Sequence, residues 1–385
     1  MKKVSVIMII IFCFVALLCI YFMKNKEYSL KVTMGGSTII TNDILNASKD
    51  PVNFIYKFDS IFSYLSEYVK DNDILYYNQE TPISGLSLGI SGDVCYNTPS
   101  NFAIDMMNIG FNMVSLANNH ALDGRIRYVN GNYYCDRNEL GINNNIDFWS
   151  KYEDVYYAGL YRNKGERNNI KIGKKNGISY AMLSYTYGTN LDGIVSYDSD
   201  IISIYNDEQV KKDVERVRNK VDILFVAMHW GEEYNIIPNN EQKRQAKYLA
   251  SLGVDIVIGT HPQVIQPIEW IDNTLVIYSL ANLVSSPDSD RDSYSNSIGV
   301  LVSIDVIKKN NKIKIHNINC ELTYMSYEIK DNVKKNFKVI PFSYIAPTDK
   351  EKVDLYNQYS NIIRLYDKSI QINHMGTRSL QNIIE

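Results

Sequence analysis

The fold is decided by residues 223–262, which read ILFVAMHWGEEYNIIPNNEQKRQAKYLASLGVDIVIGTHP. The stretch opens with an apolar strand pattern at residues 223–227, continues through a helical pattern at 242–252 and closes with a second strand pattern at 254–258. Two parallel strands need a long crossover between them, and a helix is the usual one in an α/β sheet. Each of the two strand patterns is followed by polar residues that include a histidine.

The alternation of strand and helix patterns extends along most of the chain. Further strand patterns lie at residues 30–34, 74–77, 113–116, 178–184 and 275–278. Further helical patterns lie at residues 54–69, 102–107 and 208–219. After Leu280 two long strand patterns, residues 298–307 and 313–327, predict a hairpin. We therefore predict an α/β domain.

The composition is that of an ordinary folded protein. The chain has 385 residues, with 40 basic and 43 acidic side chains and a formal net charge of −3. Hydrophobic residues make up 45% of the chain, which excludes a mainly disordered protein. The lack of a basic excess predicts that nucleic acid is not a partner.

The number and spacing of the cysteines do not indicate a disulfide framework. Outside the N-terminal segment they are Cys95, Cys135 and Cys320, an odd and sparse set that still leaves one bridge possible. A chain of this length also buries a large core. We therefore predict that folding does not require a disulfide.

Residues 4–23 form an uncharged apolar run, VSVIMIIIFCFVALLCIYFM, with lysines on both sides. A helix of this length crosses a hydrocarbon core of ~30 Å. A cleaved signal peptide has a shorter apolar core and small residues before the cleavage site, whereas this run ends in bulky residues. Cys19 is a candidate lipoprotein cysteine, but the residue before it, Leu18, is bulky where such signals usually have a small residue. An uncleaved anchor over residues 1–26 is favoured. The lysines alone leave its orientation open.

Polar clusters follow the predicted strands, and ligands bind beyond the carboxyl ends of strands in open α/β sheets. The clusters contain His120, His229 and His261, three of the five histidines in the chain, together with Glu80 and Asn119. One histidine after a strand is more often a hydrogen-bonded buried residue than a ligand. A set of imidazoles with a carboxylate and an amide on one edge favours a site for a divalent transition ion such as zinc, manganese or iron.

Six segments carry a resemblance to a known family. They read NQETP (78–82), SLANNHALD (115–123), SYTYGTN (184–190), HWGEEY (229–234), GTHPQVIQP (259–267) and IYSLAN (277–282). In this order they resemble the CapA family of poly-γ-glutamate capsule synthesis proteins, which is similar to the calcineurin-like metallophosphoesterases. The resemblance implies a four-layer α/β/β/α metallophosphoesterase-like sandwich with a metal centre, preceded by an N-terminal transmembrane helix. It places the domain, residues 27–345, on the extracytoplasmic side of a single-pass anchor. A polar C-terminal appendage, residues 346–385, follows.

The resemblance also assigns roles to individual residues. The implied metal ligands are Glu80, Asn119, His229 and His261. The implied catalytic residues are His120, as a general acid, and Asp123, which would orient it. The implied substrate-binding residues are Asn118, Tyr185, Thr186, Asn190, Glu232 and Asn282.

Two departures from the family pattern affect the metal centre. The family usually has Gly-Asp after the first strand, where this chain has Gly35-Gly36, and His-Pro-His where this chain has Gln263 in the last place. By analogy with the phosphoesterases, both missing ligands would serve the same metal position. We therefore predict about one divalent transition ion per chain (Zn, Mn or Fe), rather than a two-metal centre.

Two functions follow as expectations. The favoured one is a membrane-anchored protein that acts in the synthesis or export of a poly-γ-glutamate-type capsule polymer. Its implied partners are the cell membrane, the anionic capsule polymer and subunits of a polymer synthetase complex. The alternative is a metal-dependent hydrolase of phosphoester or amide bonds.

Overall fold

The computed structural model of the protein describes residues 26–93, 95–136, 139–190, 200–287 and 296–379, together with positions 8, 12 and 14. The predicted anchor at residues 1–26 therefore lies almost entirely outside the described residues. None of the helices in the described part of the chain is both long and apolar enough to cross a bilayer. The predicted α/β class is confirmed.

The described residues form strands and helices that alternate over the first two thirds of the chain. The strands are β1 (Glu27–Thr38), β2 (Ile74–Gln79), β3 (Met113–Ser115), β4 (Arg125–Val129), β5 (Asn132–Asp136), β6 (Tyr156–Ala158), β7 (Gly173–Lys175), β8 (Ile178–Thr186), β9 (Ile223–His229), β10 (Ile256–Thr260), β11 (Ile268–Ile271), β12 (Thr274–Ile277), β13 (Asn282–Val284), β14 (Ile298–Lys309), β15 (Lys312–Lys330), β16 (Val333–Pro341) and β17 (Gln371–Ile372). The α-helices are α1 (Asn42–Ser48), α2 (Ser63–Val69), α3 (Asn101–Asn108), α4 (Glu139–Trp149), α5 (Lys164–Asn168), α6 (Asp207–Val217), α7 (Asn240–Ser251) and α8 (Lys350–Ile363).

The strands of the described residues pair into two large sheets and one hairpin. The first sheet has the order β16-β15-β14-β1-β2-β3-β6, with β13 on β1 and β17 on β15. The second sheet has the order β11-β12-β10-β9-β8-β7, and β4 pairs with β5 alone. In the first sheet β1, β2, β3 and β6 are parallel, and in the second β8, β9, β10 and β12 are parallel. Each sheet therefore has a shared carboxyl edge.

An apolar layer separates the two sheets, and helices cover their outer faces. Val32 of β1 and Phe225 of β9 belong to the buried cluster between the sheets. The next residue along each strand points the other way, as the twofold period of a strand requires. Leu75 of β2 packs against α2, α3 and α4, and Val226 of β9 packs with Leu249 of α7 and with α6. The layer order is helix, sheet, sheet, helix.

Helix α7 shows why the crossover of the opening stretch is helical. The side chain of Asn239 accepts a hydrogen bond from the backbone N–H of Gln242, and the side chain of Gln242 accepts one from the backbone N–H of Asn239. This capping box satisfies two of the free N–H groups at the helix start. Ala246 and Leu249 then face the sheet. The helix positions β9 and β10 side by side, with their polar continuations on one edge.

Strand β1 differs from its prediction, because it does not end at Met34. It continues through Gly35 and Gly36 to Thr38, with a shift in register against β2 between Met34 and Ser37. The extension exists because β13 pairs in parallel with the end of β1, at Ser37 opposite Asn282. The glycines predicted to follow the strand therefore lie within it.

The helical pattern predicted at residues 54–69 is only partly correct. Phe54 has a φ of 60°, and the carboxylate of Asp50 accepts hydrogen bonds from the backbone of Val52 and Asn53, which makes this part a turn. A 3₁₀ turn at Asp59–Phe62 leads into α2. The spaced apolar residues from Phe58 to Val69 are buried as the pattern predicts, but the first of them lie in an irregular segment rather than in an α-helix.

The C-terminal stretch packs on the first sheet. Ile363 of α8 and Ile372 of β17 are buried in the same apolar cluster as Cys320 and Leu322 of β15, and β17 pairs in parallel with β15 at Asn319. A boundary at residue 345 stays a prediction.

Candidate functional site

The polar residues that follow the parallel strands of the two sheets meet across the cleft between them. A hydrogen-bonded chain links Thr260, His229, Asn119, Asn190, His120 and Asp123. Asn119 and His120 follow β3 of the first sheet, whereas His229 and Thr260 end β9 and β10 of the second. The carboxyl edges of both sheets therefore contribute to one site.

The buried centre of the site consists of the amide of Asn119 and the imidazoles of His229 and His261. His229 Nε2 lies 2.8 Å from Oδ1 of Asn119, and His229 Nδ1 lies 3.0 Å from the Thr260 hydroxyl. The ring of His261 lies 4.8 Å from that of His229 between centroids. Nδ1 of His261 is buried and has no hydrogen-bond partner among the described residues.

Both imidazoles are held in the neutral form that binds metals. Burial, with the charges of His261 and His120, keeps the pKa of His229 well below its usual range. Burial, with the charge of His120, lowers the pKa of His261 to about 4. Because the amide oxygen of Asn119 only accepts, Nε2 of His229 carries the proton here. An ion would replace that proton, and Nδ1 would then donate to Thr260 as the orienting hydrogen bond.

Glu80 supplies a buried carboxylate beside the cleft. Its side chain is 1% exposed, and its Oε2 has no hydrogen-bond partner within the described residues. Burial raises the pKa of Glu80 to about 7, against the opposing charge of His120. A buried carboxylate oxygen without a partner is costly unless a cation or a proton compensates its charge.

In this structure the donor atoms of Glu80, Asn119, His229 and His261 form only part of a coordination sphere for a divalent ion. In the described chain, one set of three His, Cys, Asp or Glu donor atoms lies within 4.8 Å of one another, namely Cys95, Asp123 and Cys135. The two cysteines of that set are joined in a disulfide. Glu80 and the two histidines do not form such a set, whereas the amide oxygen and Nε2 of the inner pair are within ligand spacing of each other. Oε2 of Glu80 and Nδ1 of His261, which have no hydrogen-bond partner among the described residues, could serve as the further ligands.

His120 and Asp123 form a pair at the mouth of the site. Nδ1 of His120 lies 3.0 Å from Oδ2 of Asp123, and its Nε2 accepts from the Asn190 amide at 3.3 Å. Burial opposes the charged form of His120, but the hydrogen bond and charge of Asp123 outweigh it, so the pKa of His120 is raised. The backbone N–H of Tyr96 also donates to Asp123 at 2.9 Å. This pair is built to hold a proton.

The other predicted site residues divide between structural and cleft positions. Asn118 bonds the backbone of Gln79 and His120 and so shapes the turn after β3. Thr186 closes a local turn with Gly188. Asn282 is 5% exposed, and both atoms of its amide lack a partner among the described residues.

Two predicted residues lie away from the cleft. The Tyr185 side chain is buried in the helix-covered face of the second sheet and donates a hydrogen bond to Asp213 on α6. Glu232 is exposed and accepts from the Asn239 side chain at the start of α7. Tyr185 shares a face of β8 with Leu183, so the alternation of the strand was a signal that could have excluded it.

Sequence reasoning missed two residues of the site, Glu233 and Tyr187, which lie close in sequence to the predicted Glu232 and Tyr185. A cleft of about 480 Å³ in front of the site is lined by Glu233, and the ring of Tyr187 lies 4.7 Å from that of His261. Asp43, Asp93 and Glu80 also line this cleft, with Lys334. Lys334 is paired with Asp43 at 3.2 Å. The cleft is therefore acidic.

The two departures from the family pattern have different structural settings. A Cβ on Gly36 would lie 2.0 Å from the carbonyl oxygen of Ala281, so no side chain fits there. The Gln263 amide instead lines the cleft and donates to Glu233 at 3.0 Å. Neither position provides the charged or imidazole ligand of the family.

A disulfide joins Cys95 to Cys135, with a Cα–Cα distance of 5.0 Å. It ties the loop that carries Tyr96 to the hairpin of β4 and β5, directly after Asp123. The sequence left one bridge possible, and this is the bridge. Whether folding requires it stays a prediction.

We expect the Cys95→Ser/Cys135→Ser variant to remain folded at room temperature but to lose stability. The bridge closes a loop across 40 residues, and its loss should lower the free energy of unfolding by roughly 2–4 kcal/mol, mainly through the unfolded chain. Thermal unfolding with and without reductant measures this. Reductant should lower the midpoint of the parent protein and leave the double variant unchanged. An equal midpoint for both proteins would show that the bridge is dispensable.

Comparison with known proteins identifies relatives in capsule synthesis. The sequence profile of the family described as Bacterial capsule synthesis protein PGA_cap matches residues 31–287. The PGA biosynthesis protein CapA of Bacillus subtilis (strain 168) is 27% identical over 236 residues, 59% of this chain and 57% of that protein. The capsule biosynthesis protein CapA of Bacillus anthracis is 26% identical over 274 residues, 68% of this chain and 61% of that protein. This chain thus spans about three fifths of these two relatives.

Solved structures show weaker likenesses. A novel phosphatase from Mycoplasma pneumoniae has a TM-score of 0.45 at 11% identity, covering 77% of this chain and 94% of that one. The calcineurin-like phosphoesterase YfkN from Bacillus subtilis has a TM-score of 0.45 at 11% identity, covering 77% and 91%. Scores of this size carry no argument about function.

Proposed function

The chain belongs to the bacterial capsule synthesis family PGA_cap, and from this we propose that it acts in the synthesis or export of a poly-γ-glutamate-type capsule polymer. The supporting observation is that the match over residues 31–287 includes every candidate site residue, from Glu80 to Asn282. Both relatives named above carry capsule or PGA biosynthesis in their names. In this proposal the protein is anchored in the membrane, with its domain outside, beside subunits of a polymer synthetase complex.

The test is a host strain in which the gene is replaced by variants. We expect His229→Ala/His261→Ala to reduce the γ-linked glutamate polymer, measured on the cell surface and in the medium, as strongly as deletion does. His374→Ala is the matched control, because His374 is exposed in the C-terminal stretch and does not line the cleft. Unchanged polymer after deletion of the gene would contradict the proposal.

The disulfide supports an extracytoplasmic location. Stable disulfides form in oxidising compartments and are rare in the reducing cytosol. The uncharged run at residues 4–23 is long enough to hold the domain at the membrane.

We expect protease added to intact cells to degrade the domain from residue 27 onward while a cytosolic marker stays intact. Thiol labelling of the unreduced protein should also find Cys95 and Cys135 blocked. A domain that survives shaving while surface controls are cut would place it inside the cell.

A second candidate is a metal-dependent hydrolase of phosphoester or amide bonds. The observation that favours it is the His120–Asp123 pair beside two buried donors without partners, on Glu80 and His261. A divalent ion bound by Asn119, His229, His261 and Glu80 would polarise a substrate oxygen or activate water. The raised pKa of His120 favours the protonated imidazole that a general acid needs, and Asp123 fixes the ring that would deliver the proton to a leaving group.

The negative charge of the cleft favours binding of a cation over direct binding of an anionic polymer. Glu80, Glu233, Asp93 and Asp43 line it, and Lys334 is already paired. An anionic polymer would be repelled unless a divalent ion offset part of this charge. The metal and the polymer are therefore linked in the proposal.

A further inference from the structure

The edge of the sheets opposite to the candidate site carries exposed lysines. Strand β1 begins there at Glu27, opposite Lys309 at the end of β14, and the tip of the β14–β15 hairpin follows. The turn between β7 and β8 joins them, since Asn176 donates to the backbone oxygen of Ser29. The exposed lysines of this edge, here called the amino-edge face, are Lys26, Lys31, Lys174, Lys175, Lys309, Lys312 and Lys314.

Five of the seven lysines of the amino-edge face come from two segments that lack acidic residues. Residues 308–314 read KKNNKIK and residues 171–175 read KIGKK. The other two, Lys26 and Lys31, lie on either side of Glu27, and Asp73 accepts a hydrogen bond from Asn176 at the same face. A groove of about 510 Å³ beside the start of β1 is lined by Lys309, Lys312, Lys314 and His316, with Glu27 as its one carboxylate. Glu27 is paired with Lys309 at 3.0 Å. The face is basic although the chain carries a net charge of −3.

The chain outside the described domain joins the molecule at this face. Lys26 is the first residue of the continuous described structure, and its Nζ lies 4.9 Å from the centre of the Tyr28 ring. Only Lys24 and Asn25 separate Lys26 from the uncharged run that ends at Met23. A bilayer entered by that run would lie next to the amino-edge face.

We infer that the amino-edge face rests on the anionic headgroups of the bilayer that holds the N-terminal run, which directs the acidic cleft away from the membrane. The inference rests on the proposed anchor and adds the orientation of the domain to it. The lysines complement anionic lipid, whose attraction acts within about 10 Å of the surface at ordinary salt. Strand β1 spans 12 residues, so its far end would stand roughly 40 Å above the face.

The orientation has a consequence for access. The acidic cleft and the anionic surface of the membrane would repel each other, and the strands of the first sheet keep them on opposite edges. A polymer chain would reach the cleft from the side of the cell wall or medium, without crossing the headgroup layer. The basic face would be occupied by lipid, not by polymer.

Hydrogen exchange of the full chain in nanodiscs tests the inference. In discs that contain phosphatidylglycerol, amides of residues 172–177 and 308–315 should exchange more slowly than in discs of phosphatidylcholine alone, by roughly tenfold, since each lysine near an anionic surface adds to the attraction. Lys309→Glu/Lys312→Glu/Lys314→Glu should remove the difference. The matched control is Lys211→Glu/Lys212→Glu/Lys247→Glu, three exposed lysines on α6 and α7, which should retain it.

The outcomes separate the inference from the anchor. Failure of the chain to enter the discs would overturn the anchor and the orientation together. Entry with equal exchange in both lipids, or equal loss in both triple variants, would overturn the lipid contact alone. Protection of the same amides by soluble polyglutamate in phosphatidylcholine discs, without protection by phosphatidylglycerol, would assign the face to polymer and contradict the inference. Circular dichroism checks that both triple variants are folded.

Discussion

Elemental analysis of the purified full-length protein, after loading with zinc or manganese and removal of free metal, is expected to find about one ion per chain. Asn119 and His229 are already within ligand spacing, and His261 is neutral with a free buried nitrogen. Glu80 brings a carboxylate that has no partner for one of its oxygens. A second position would need ligands at Gly36 and Gln263, where the chain has no side chain and a bonded amide.

The ligand assignment is tested by alanine variants. His229→Ala and His261→Ala should each lower metal affinity by at least about tenfold, because direct ligands matter at least as much as the residues that orient them. His120→Ala should largely retain the ion, since the His120 ring bonds Asp123 and Asn190 rather than the inner pair. His316→Ala serves as the exposed control.

Two ions per chain in the unmodified protein, or none under metal-replete conditions, would contradict the one-ion centre. If His120→Ala lost the ion as completely as His261→Ala, His120 would be a ligand and not a proton carrier. Any phosphoester or amide hydrolysis found in the parent should fall in His120→Ala at constant metal content.

The position of the site was predictable because parallel strands bring their carboxyl ends to one edge. The contact between Asn119 and His229 joins residues 110 positions apart, and the strand-end rule anticipated it without any knowledge of distances. The same rule could not choose between adjacent residues in a loop. Gly231, with a φ of 88°, turns the chain after β9 so that Glu233 lines the cleft and Glu232 faces α7.

Other features depend on packing that the sequence does not display. The bridge between Cys95 and Cys135 requires two loops to meet, and cysteine spacing alone does not identify partners. The extension of β1 depends on β13, a strand far along the chain that pairs with its end. The role of Tyr96, whose backbone supports Asp123, also follows from that local packing.

The second large effect is expected from Gly36→Asp, which restores the residue type that the family pattern has at this position. It should not restore a second ion. A Cβ at residue 36 would lie 2.0 Å from the oxygen and 2.8 Å from the carbon of the Ala281 carbonyl. The same oxygen accepts a hydrogen bond from the backbone of Ser37 at 3.0 Å. A side chain must therefore displace β13, at a cost of about 3 kcal/mol in the free energy of unfolding.

Thermal unfolding and metal content measured on the same samples decide this prediction. Gly36→Ala should show most of the loss in stability, because the clash begins at Cβ. Gly188→Ala is the matched control, since a Cβ there meets no atom within 4 Å and should change stability little. A Gly36→Asp protein that melts like the parent and binds two ions would show that β13 yields easily and that the second position survives. Loss of stability with one ion or fewer would show that the backbone at Ala281, and not only a missing carboxylate, closes that position.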